Sequence, residues 1–190
     1  MTRIIAGSAK GRLLKVPEKG TRPTSDRVRE AIFSSLEHRL GSFAGLTVYD
    51  LYAGSGAFAL EALSRGAMAA VAVEKDRKAA DIIRANVQNT GLHAQVVQAD
   101  VAQFVTRVPN PAPDVVFVDP PYEVPAAVIR GQLATLLQHL SDREVLLVVE
   151  RSARDTESPI PAGCTDIDLR ALGETSVTYA HWYGYPHDNS

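Results

Sequence analysis

One cysteine, Cys164, occurs in 190 residues. That excludes an intramolecular disulfide and suits a reducing compartment. Long apolar runs are missing too. None approaches the roughly 20 residues of a membrane-spanning helix, and the first residues carry no signal-peptide core. The expectation is a cytoplasmic protein with no membrane contact. Five scattered histidines and a single thiol offer no zinc-ligand spacing, so no metal site is expected. There is no repeat and no low-complexity tract, and nothing demands a dimer, so a monomer is expected. What is present is an ordinary globular composition, at a length that fits one domain with a full core and a small appendage.

Charge is unevenly placed. The net charge is -2, yet residues 1–30 carry eight Lys and Arg (Arg3, Lys10, Arg12, Lys15, Lys19, Arg22, Arg27, Arg29) against Glu18, Asp26 and Glu30, leaving the body at -7. A basic arm on an acidic body suits a local polyanion contact, with a solvated charged face as the alternative.

Residues 3–16 read as two short apolar runs around a Gly/Ser/Lys turn, the pattern of a β-hairpin. Residues 1–22 are expected to form a basic hairpin arm, and residues 23–190 the main domain. Thr24 or Ser25 can cap a helix in which Val28, Ala31, Ile32 and Leu36 recur at helical spacing, ending near Gly41. Apolar strands then alternate with helices: Leu46–Tyr52, Ala69–Glu74, Ala94–Gln98, Asp114–Asp119 and Glu144–Glu150 are the expected strands. Asp76 can cap a helix running to about Asn89, with Gly91 beyond it. Shorter helical patterns cover Val101–Val108 and Pro125–Leu140. Strands apolar on nearly every residue imply an α/β fold with a parallel sheet covered on both faces. Cys164–Ala171 and Ser176–Tyr183 read as an antiparallel hairpin through Gly173.

Two motifs carry chemistry. Asp50-Leu-Tyr-Ala53-Gly54-Ser-Gly56-Ala57 ends the first strand of the alternation and opens a helix, where glycines permit a tight turn and close approach of a ligand to the backbone. Gly54-x-Gly56-x-x-Ala59 also satisfies the dinucleotide fingerprint. Asp50 can organise the loop or receive an ammonium group. Glu74 ends the next strand 18 residues after Gly56, where an acid accepts hydrogen bonds from ribose hydroxyls. Asp100 can reach an adenine amino group or cap the helix that follows it.

The second motif is Val116-Phe-Val-Asp119-Pro120-Pro121-Tyr122. Asp119 falls at a strand end beside the cofactor crevice, and two prolines fix the backbone. Tyr122 offers a ring on which a base can stack. An exocyclic amino group is a poor nucleophile, because its lone pair is delocalised into the base. Acceptors on Asp119 and the Pro120 carbonyl, aimed at its hydrogens, would stabilise the charge that develops on nitrogen.

Asp119-Pro-Pro-Tyr122 resembles the motif of class I, Rossmann-like methyltransferases that act on amino nitrogens. Arg3-Ile-Ile-Ala-Gly7, Arg22-Pro-Thr-Ser-Asp-Arg-Val-Arg-Glu30, Ala53-Gly-Ser-Gly-Ala57 and Leu60-Glu-Ala-Leu-Ser-Arg65 are similar to the bacterial 16S ribosomal RNA (guanine(966)-N2)-methyltransferase family. The resemblance spans nearly the whole chain but leaves residues 151–165 unmatched. It implies a seven-stranded, mostly parallel sheet with an antiparallel C-terminal hairpin and a small N-terminal hairpin extension. It also implies S-adenosyl-L-methionine as donor, and as substrate 16S rRNA in the small ribosomal subunit or an assembly intermediate. By the same resemblance Asp50, Ala53, Gly54 and Gly56 would hold the methionine part, Glu74 the ribose, and Asp100 with the Val101 amide the adenine. Asp119, Pro120 and Tyr122 would face the base, and the Arg22–Glu30 segment would fold over the cofactor side. On charge alone, the basic arm's Arg3, Lys10, Arg12, Lys15 and Arg22 are the expected RNA contacts.

The alternatives are an adenine-N6 or other amino-group methyltransferase on nucleic acid, a glutamine methyltransferase, a nicotinamide-dependent oxidoreductase and a catalytically silent RNA-binding module. An oxidoreductase would leave Asp119-Pro-Pro-Tyr122 idle. Glutamine methyltransferases usually have Asn in place of Asp119.

Overall fold

Strands that are apolar at nearly every position need cover on both faces, and the computed structural model supplies it over the residues it describes, 2–18 and 24–185. The chain opens with a hairpin of β1 (Thr2–Arg3) and β2 (Leu13–Leu14), then α1 (Asp26–Leu40). Strands and helices alternate through β3 (Thr47–Asp50), α2 (Ala57–Ser64), β4 (Ala69–Glu74), α3 (Arg77–Thr90), β5 (Gln95–Gln98), α4 (Val101–Phe104), β6 (Val115–Val118), α5 (Ala126–Gln138) and β7 (Val145–Ser152). The hairpin of β8 (Thr165–Leu172) and β9 (Thr175–Trp182) completes them. The seven-stranded sheet has the order β5-β4-β3-β6-β7-β9-β8. Its first five strands run parallel, and β9 pairs antiparallel with both β7 and β8. This is the mixed α/β architecture that the sequence pattern implies.

Alternation along each strand sorts the core into two layers. Val48, Ala70, Ala72, Val115, Phe117, Leu146 and Val148 pack with Ile32, Phe33 and Leu36 of α1 and with Phe58 of α2. Tyr49, Val71, Val73, Val116, Val118, Leu147 and Val149 pack against Ile129, Leu133, Leu136 and Leu137 of α5. In the first layer the rings of Phe33, Phe58 and Phe117 lie 5.0–6.1 Å apart, centre to centre. Burial of each such ring contributes about 1.5–3 kcal/mol, so α1 is fastened over the sheet by its own apolar stripe.

Helix ends follow local chemistry. Ser25, not Thr24, caps α1, its hydroxyl accepting the Val28 N–H at 3.2 Å. Asp76 caps α3 through the Ala79 N–H at 2.8 Å. The helix expected over Val101–Val108 stops at Phe104. Val105, Thr106 and Val108 are β-branched, and the last precedes Pro109, which disfavours helical backbone before it.

The N-terminal hairpin is docked on the sheet's helices. Glu61 of α2, fully buried, accepts the Ile5 and Ala6 N–H groups at 2.8 and 3.1 Å. The Ser64 hydroxyl accepts the Ala9 N–H at 2.9 Å and donates to the Ala6 carbonyl at 2.6 Å. Ile4, Ala9 and Leu14 close a small core with Ala57 and Leu60. Gly7 passes so near α2 that a Cβ there would lie 1.8 Å from the Ser64 carbonyl oxygen, so only glycine fits.

Candidate active site

After β3 the chain winds outward through β4 and β5, then returns to β6 on the other side of β3. Loops leaving β3 and β6 therefore diverge and open a crevice at the carboxyl ends of the strands. The cleft there is open to solvent. Its walls come from the arm (Thr2, Val16, Pro17), from Thr24 and Arg29 beside and within α1, from Tyr52–Ser55, and from Asp119.

The glycine loop is held by its neighbours' backbones and acids. The Ala53 N–H donates to the Val73 carbonyl at 3.0 Å. Gly54 N–H donates to Glu74 Oε2 at 2.8 Å, and Asp76 N–H to Glu74 Oε1 at 2.9 Å. Gly56 begins α2 with φ 79°, and a Cβ there would stand 2.9 Å from Ile83 Cγ2 of α3. A larger residue would have to displace the Ile83 side chain and hold a left-handed backbone.

Asp50 is completely buried. Its Oδ2 accepts the Ala59 N–H at 3.2 Å, and its Oδ1 has no hydrogen-bond partner among the described residues. Burial pushes its pKa up to about 7, and the charges of Asp119 and Glu74 act in the same direction. Arg29 is the cationic counterpart. It is 1% exposed, and Nη2 donates to the Arg3 carbonyl and to Asp26 Oδ1. Its Nε and Nη1 have no hydrogen-bond partner among the described residues. The buried acceptor on Asp50, beneath the glycine loop, and the buried donors on Arg29, which lines the cleft, fit a ligand that carries both an ammonium and a carboxylate. A sulfonium amino acid joined to a nucleoside is such a ligand.

Four acids share one side of the sheet. Glu74, Asp50, Asp119 and Glu150 continue the alternation of the α1-facing layer toward the carboxyl ends of four neighbouring parallel strands, β4, β3, β6 and β7. Pairing of Asp50 with Ala72 and Phe117, and of Phe117 with Val148, sets Glu74, Asp119 and Glu150 at one level. Thr24, released from helix capping, meets the last two: its Oγ1 lies 2.5 Å from Asp119 Oδ2 and 2.9 Å from Glu150 Oε2. Thr175 of β9 donates to Glu150 Oε1 at 3.3 Å. Burial raises the pKa of both carboxyls, and the charge of Asp119 raises Glu150 further.

The remaining expected site residues are distributed around this centre. Pro120 is buried and Tyr122 is exposed, with Pro121 accepting the Val124 N–H at 3.0 Å. Asp100 caps α4 through the Ala102 N–H at 2.8 Å and pairs with Lys75 at 3.4 Å, and Val101 follows it, buried. Arg3, Lys10, Arg12 and Lys15 are exposed on the docked hairpin. Arg3 lies 3.7 Å from Asp26. Arg22 lies outside the described residues.

Thr24 and Arg29 line the cleft within the Arg22–Glu30 segment expected to cover the cofactor side, though neither was given a role there, and Asn86 and Glu150 of the site's frame were not singled out by their sequence. The signal for Glu150 is an acid following the apolar run Val145-Leu-Leu-Val-Val149, although β7 continues through it to Ser152. Asn86 has no such signal: it is a helix residue whose amide turns inward.

Comparison with known proteins gives a consistent picture. The family described as conserved hypothetical protein 95 matches residues 2–181. The chain is 36% identical over 167 residues to ribosomal RNA small subunit methyltransferase D of Escherichia coli, covering 84% of this chain and 79% of that protein. It is 38% identical over 125 residues to the protein of the same name from Haemophilus influenzae, covering 63% of each. The solved structure of a hypothetical protein from Thermus thermophilus superposes with a TM-score of 0.79 at 34% identity, covering 94% of this chain and 98% of the other.

Proposed function

We propose a function from one premise: the chain belongs to the conserved hypothetical protein 95 family, whose model spans residues 2–181, and it works as an S-adenosylmethionine-dependent rRNA methyltransferase. The transfer goes to the 2-amino group of a guanine in 16S rRNA, within the small ribosomal subunit or an assembly intermediate. The observation that carries this reading is the placing of Asp119 and the Gly54–Gly56 loop at the carboxyl ends of the neighbouring strands β6 and β3, opening into one cleft.

Bound S-adenosylmethionine supplies an electrophilic methyl carbon on a positively charged sulfur. Asp50, Ala53, Gly54 and Gly56 hold its methionine part, the unpartnered Asp50 Oδ1 taking the ammonium. Glu74, with both oxygens already on backbone N–H groups, has lone pairs left for ribose hydroxyls. Asp100 and the Val101 amide border the adenine. Tyr122 stacks on the target base, worth about 1–3 kcal/mol. Asp119 and the Pro120 carbonyl accept hydrogen bonds from the amino group, and Asp119 takes the proton that nitrogen sheds as the new bond forms. Holding nitrogen in line with the methyl carbon supplies much of the rate.

In this reading residues 1–22 are the RNA-facing arm of the 23–190 domain, with Arg3, Lys10, Arg12, Lys15 and Arg22 meeting phosphates. The protein acts as a cytoplasmic monomer without a metal ion. None of the described helices is long and apolar enough to cross a membrane.

The test offers tritiated S-adenosylmethionine with naked 16S rRNA, small subunits and DNA, followed by nucleoside analysis. Label in 2-methylguanosine from rRNA or subunits is the expected product. Label in DNA adenine, or in no nucleic acid at all, would overturn the assignment.

A further inference from the structure

The Thr24 hydroxyl has one proton to donate, yet it lies within hydrogen-bond distance of two carboxyl groups, Asp119 and Glu150. With both carboxyls ionised, one contact would face lone pair against lone pair. Both contacts are satisfied only when one carboxyl is itself a donor. Position decides which. Glu150 is 7% exposed, enclosed between β6, β9 and the segment before α1, and takes the Thr175 hydroxyl on its other oxygen. Asp119 lines the open cleft.

We propose that Glu150 is a positioning residue for methyl transfer: it keeps one proton, donates it toward Thr24 and Asp119, and so leaves Asp119 as the charged acceptor facing the target amino group. This rests on the role given to Asp119 above. The chemistry balances without an added reactant. The amino nitrogen's lone pair forms the N–C bond, and the electron pair of the broken S–C bond stays on sulfur. Asp119 takes the displaced proton and loses it to water in the cleft. Glu150 retains its own proton throughout.

The surroundings agree. Burial, then the Asp119 charge, pushes Glu150 up to about 8, while burial takes Asp119 only to about 6. Few charged groups bear on the pair. Asp50 and Glu74 continue the acid row on β3 and β4, β9 contributes the uncharged Thr175, and Arg29 within α1 pairs with Asp26 and Glu61 rather than with Glu150. No cation among these neutralises Glu150, so the proton is the way its burial is tolerated.

The consequence is an alkaline limb in kcat. Below the pKa of Glu150 the relay is intact. Above it, Thr24 is shared between two anions and Asp119 loses its fixed position. Glu150→Gln keeps a donor for Thr24 and an acceptor for Thr175 and cannot ionise. Its kcat should stay within a few-fold of wild type at pH 7, and its limb should vanish. Glu150→Ala should lower kcat about tenfold to a hundredfold, the scale of one hydrogen bond to a charged group. KM for rRNA and the Kd for S-adenosylhomocysteine should hold in both variants, the latter also reporting that they fold. An alkaline limb in Glu150→Gln matching wild type, or a kcat as low as that of Glu150→Ala, would overturn the proposal. Asp119→Asn separates the two readings. If it retains turnover, the role of Asp119 itself fails; if it is inactive while Glu150→Gln keeps the limb, only the role of Glu150 fails.

Discussion

The Asn86 side chain donates to the Ser55 carbonyl at 2.9 Å, inside the glycine loop. The same amide accepts the Lys15 N–H at 2.8 Å and donates to the Lys15 carbonyl at 2.9 Å. One fully buried residue of α3 thus joins the exit of the basic arm to the loop that borders the cleft. The arm's next residues, Val16 and Pro17, line the same cleft.

Replacing Asn86 with Leu should therefore disturb two places at once. The unsatisfied backbone groups left behind cost about 1–3 kcal/mol, visible as a lower midpoint in urea. S-adenosylhomocysteine should also bind more weakly, because Ser55 and Lys15 lose their common tie. Loss of stability with unchanged ligand affinity would show that the tie does not reach the loop.

The arm's cations should behave differently from its backbone. Lys10, Arg12 and Lys15 are exposed, while the bonds that dock the hairpin run from main-chain atoms to Glu61, Ser64 and Asn86. Changing the three to Ala leaves those bonds in place. Binding to rRNA or small subunits should weaken, and the slope of log K against log salt should flatten by roughly 0.7–0.9 for each phosphate no longer neutralised. Affinity for S-adenosylmethionine should be unaffected. A wild-type salt slope in the triple variant would move the RNA surface elsewhere.

Much of this architecture was legible beforehand, for local reasons. Strand and helix periods, the Ser25 and Asp76 caps and the Gly41 and Gly91 stops are written within a few residues of where they act. Asp50, Glu74 and Asp119 could be found because each ends an apolar strand. The Thr24–Glu150 contact spans 126 positions, and the Ile5–Glu61 bond 56. No local pattern says which carboxylate takes a backbone N–H or a distant hydroxyl. Glu61 reads as an ordinary helix acid. Only the packing of α2 under the arm makes it the buried hub for Ile5, Ala6, Arg29 and Arg65. The short α4 is a case where β-branching and Pro109 outweighed an apolar pattern.

Tyr122 tests how the base is held. Its ring is exposed three residues beyond Asp119, free to lie against a flipped or single-stranded base. Tyr122→Phe should keep most of the activity, and Tyr122→Ala should lose about 1–3 kcal/mol of binding to rRNA, read as a raised KM. Equal loss in both variants would assign the role to the hydroxyl instead.

Asp50 gives the site a pH dependence whose sign can be worked out. Burial pushes it up to about 7, whereas an unfolded aspartate titrates at about 3.9. Between those values the folded protein holds a proton that the unfolded chain has released, so stability falls as pH rises through the window. The slope for one proton is at most about 1.4 kcal/mol per pH unit. Donor binding should run the other way. An ammonium placed at Oδ1 needs the ionised carboxylate, so S-adenosylmethionine should bind more tightly as pH rises from 5.5 to 7.5, with proton release on binding. Asp50→Asn keeps an acceptor for the Ala59 N–H and cannot ionise. It should melt at a temperature less dependent on pH than wild type, and bind the donor weakly with a flat profile over that range. Calorimetric titration in buffers of different ionisation enthalpy measures the proton count directly. No proton release in the wild type, or the same pH dependence in Asp50→Asn, would remove Asp50 from the ammonium site.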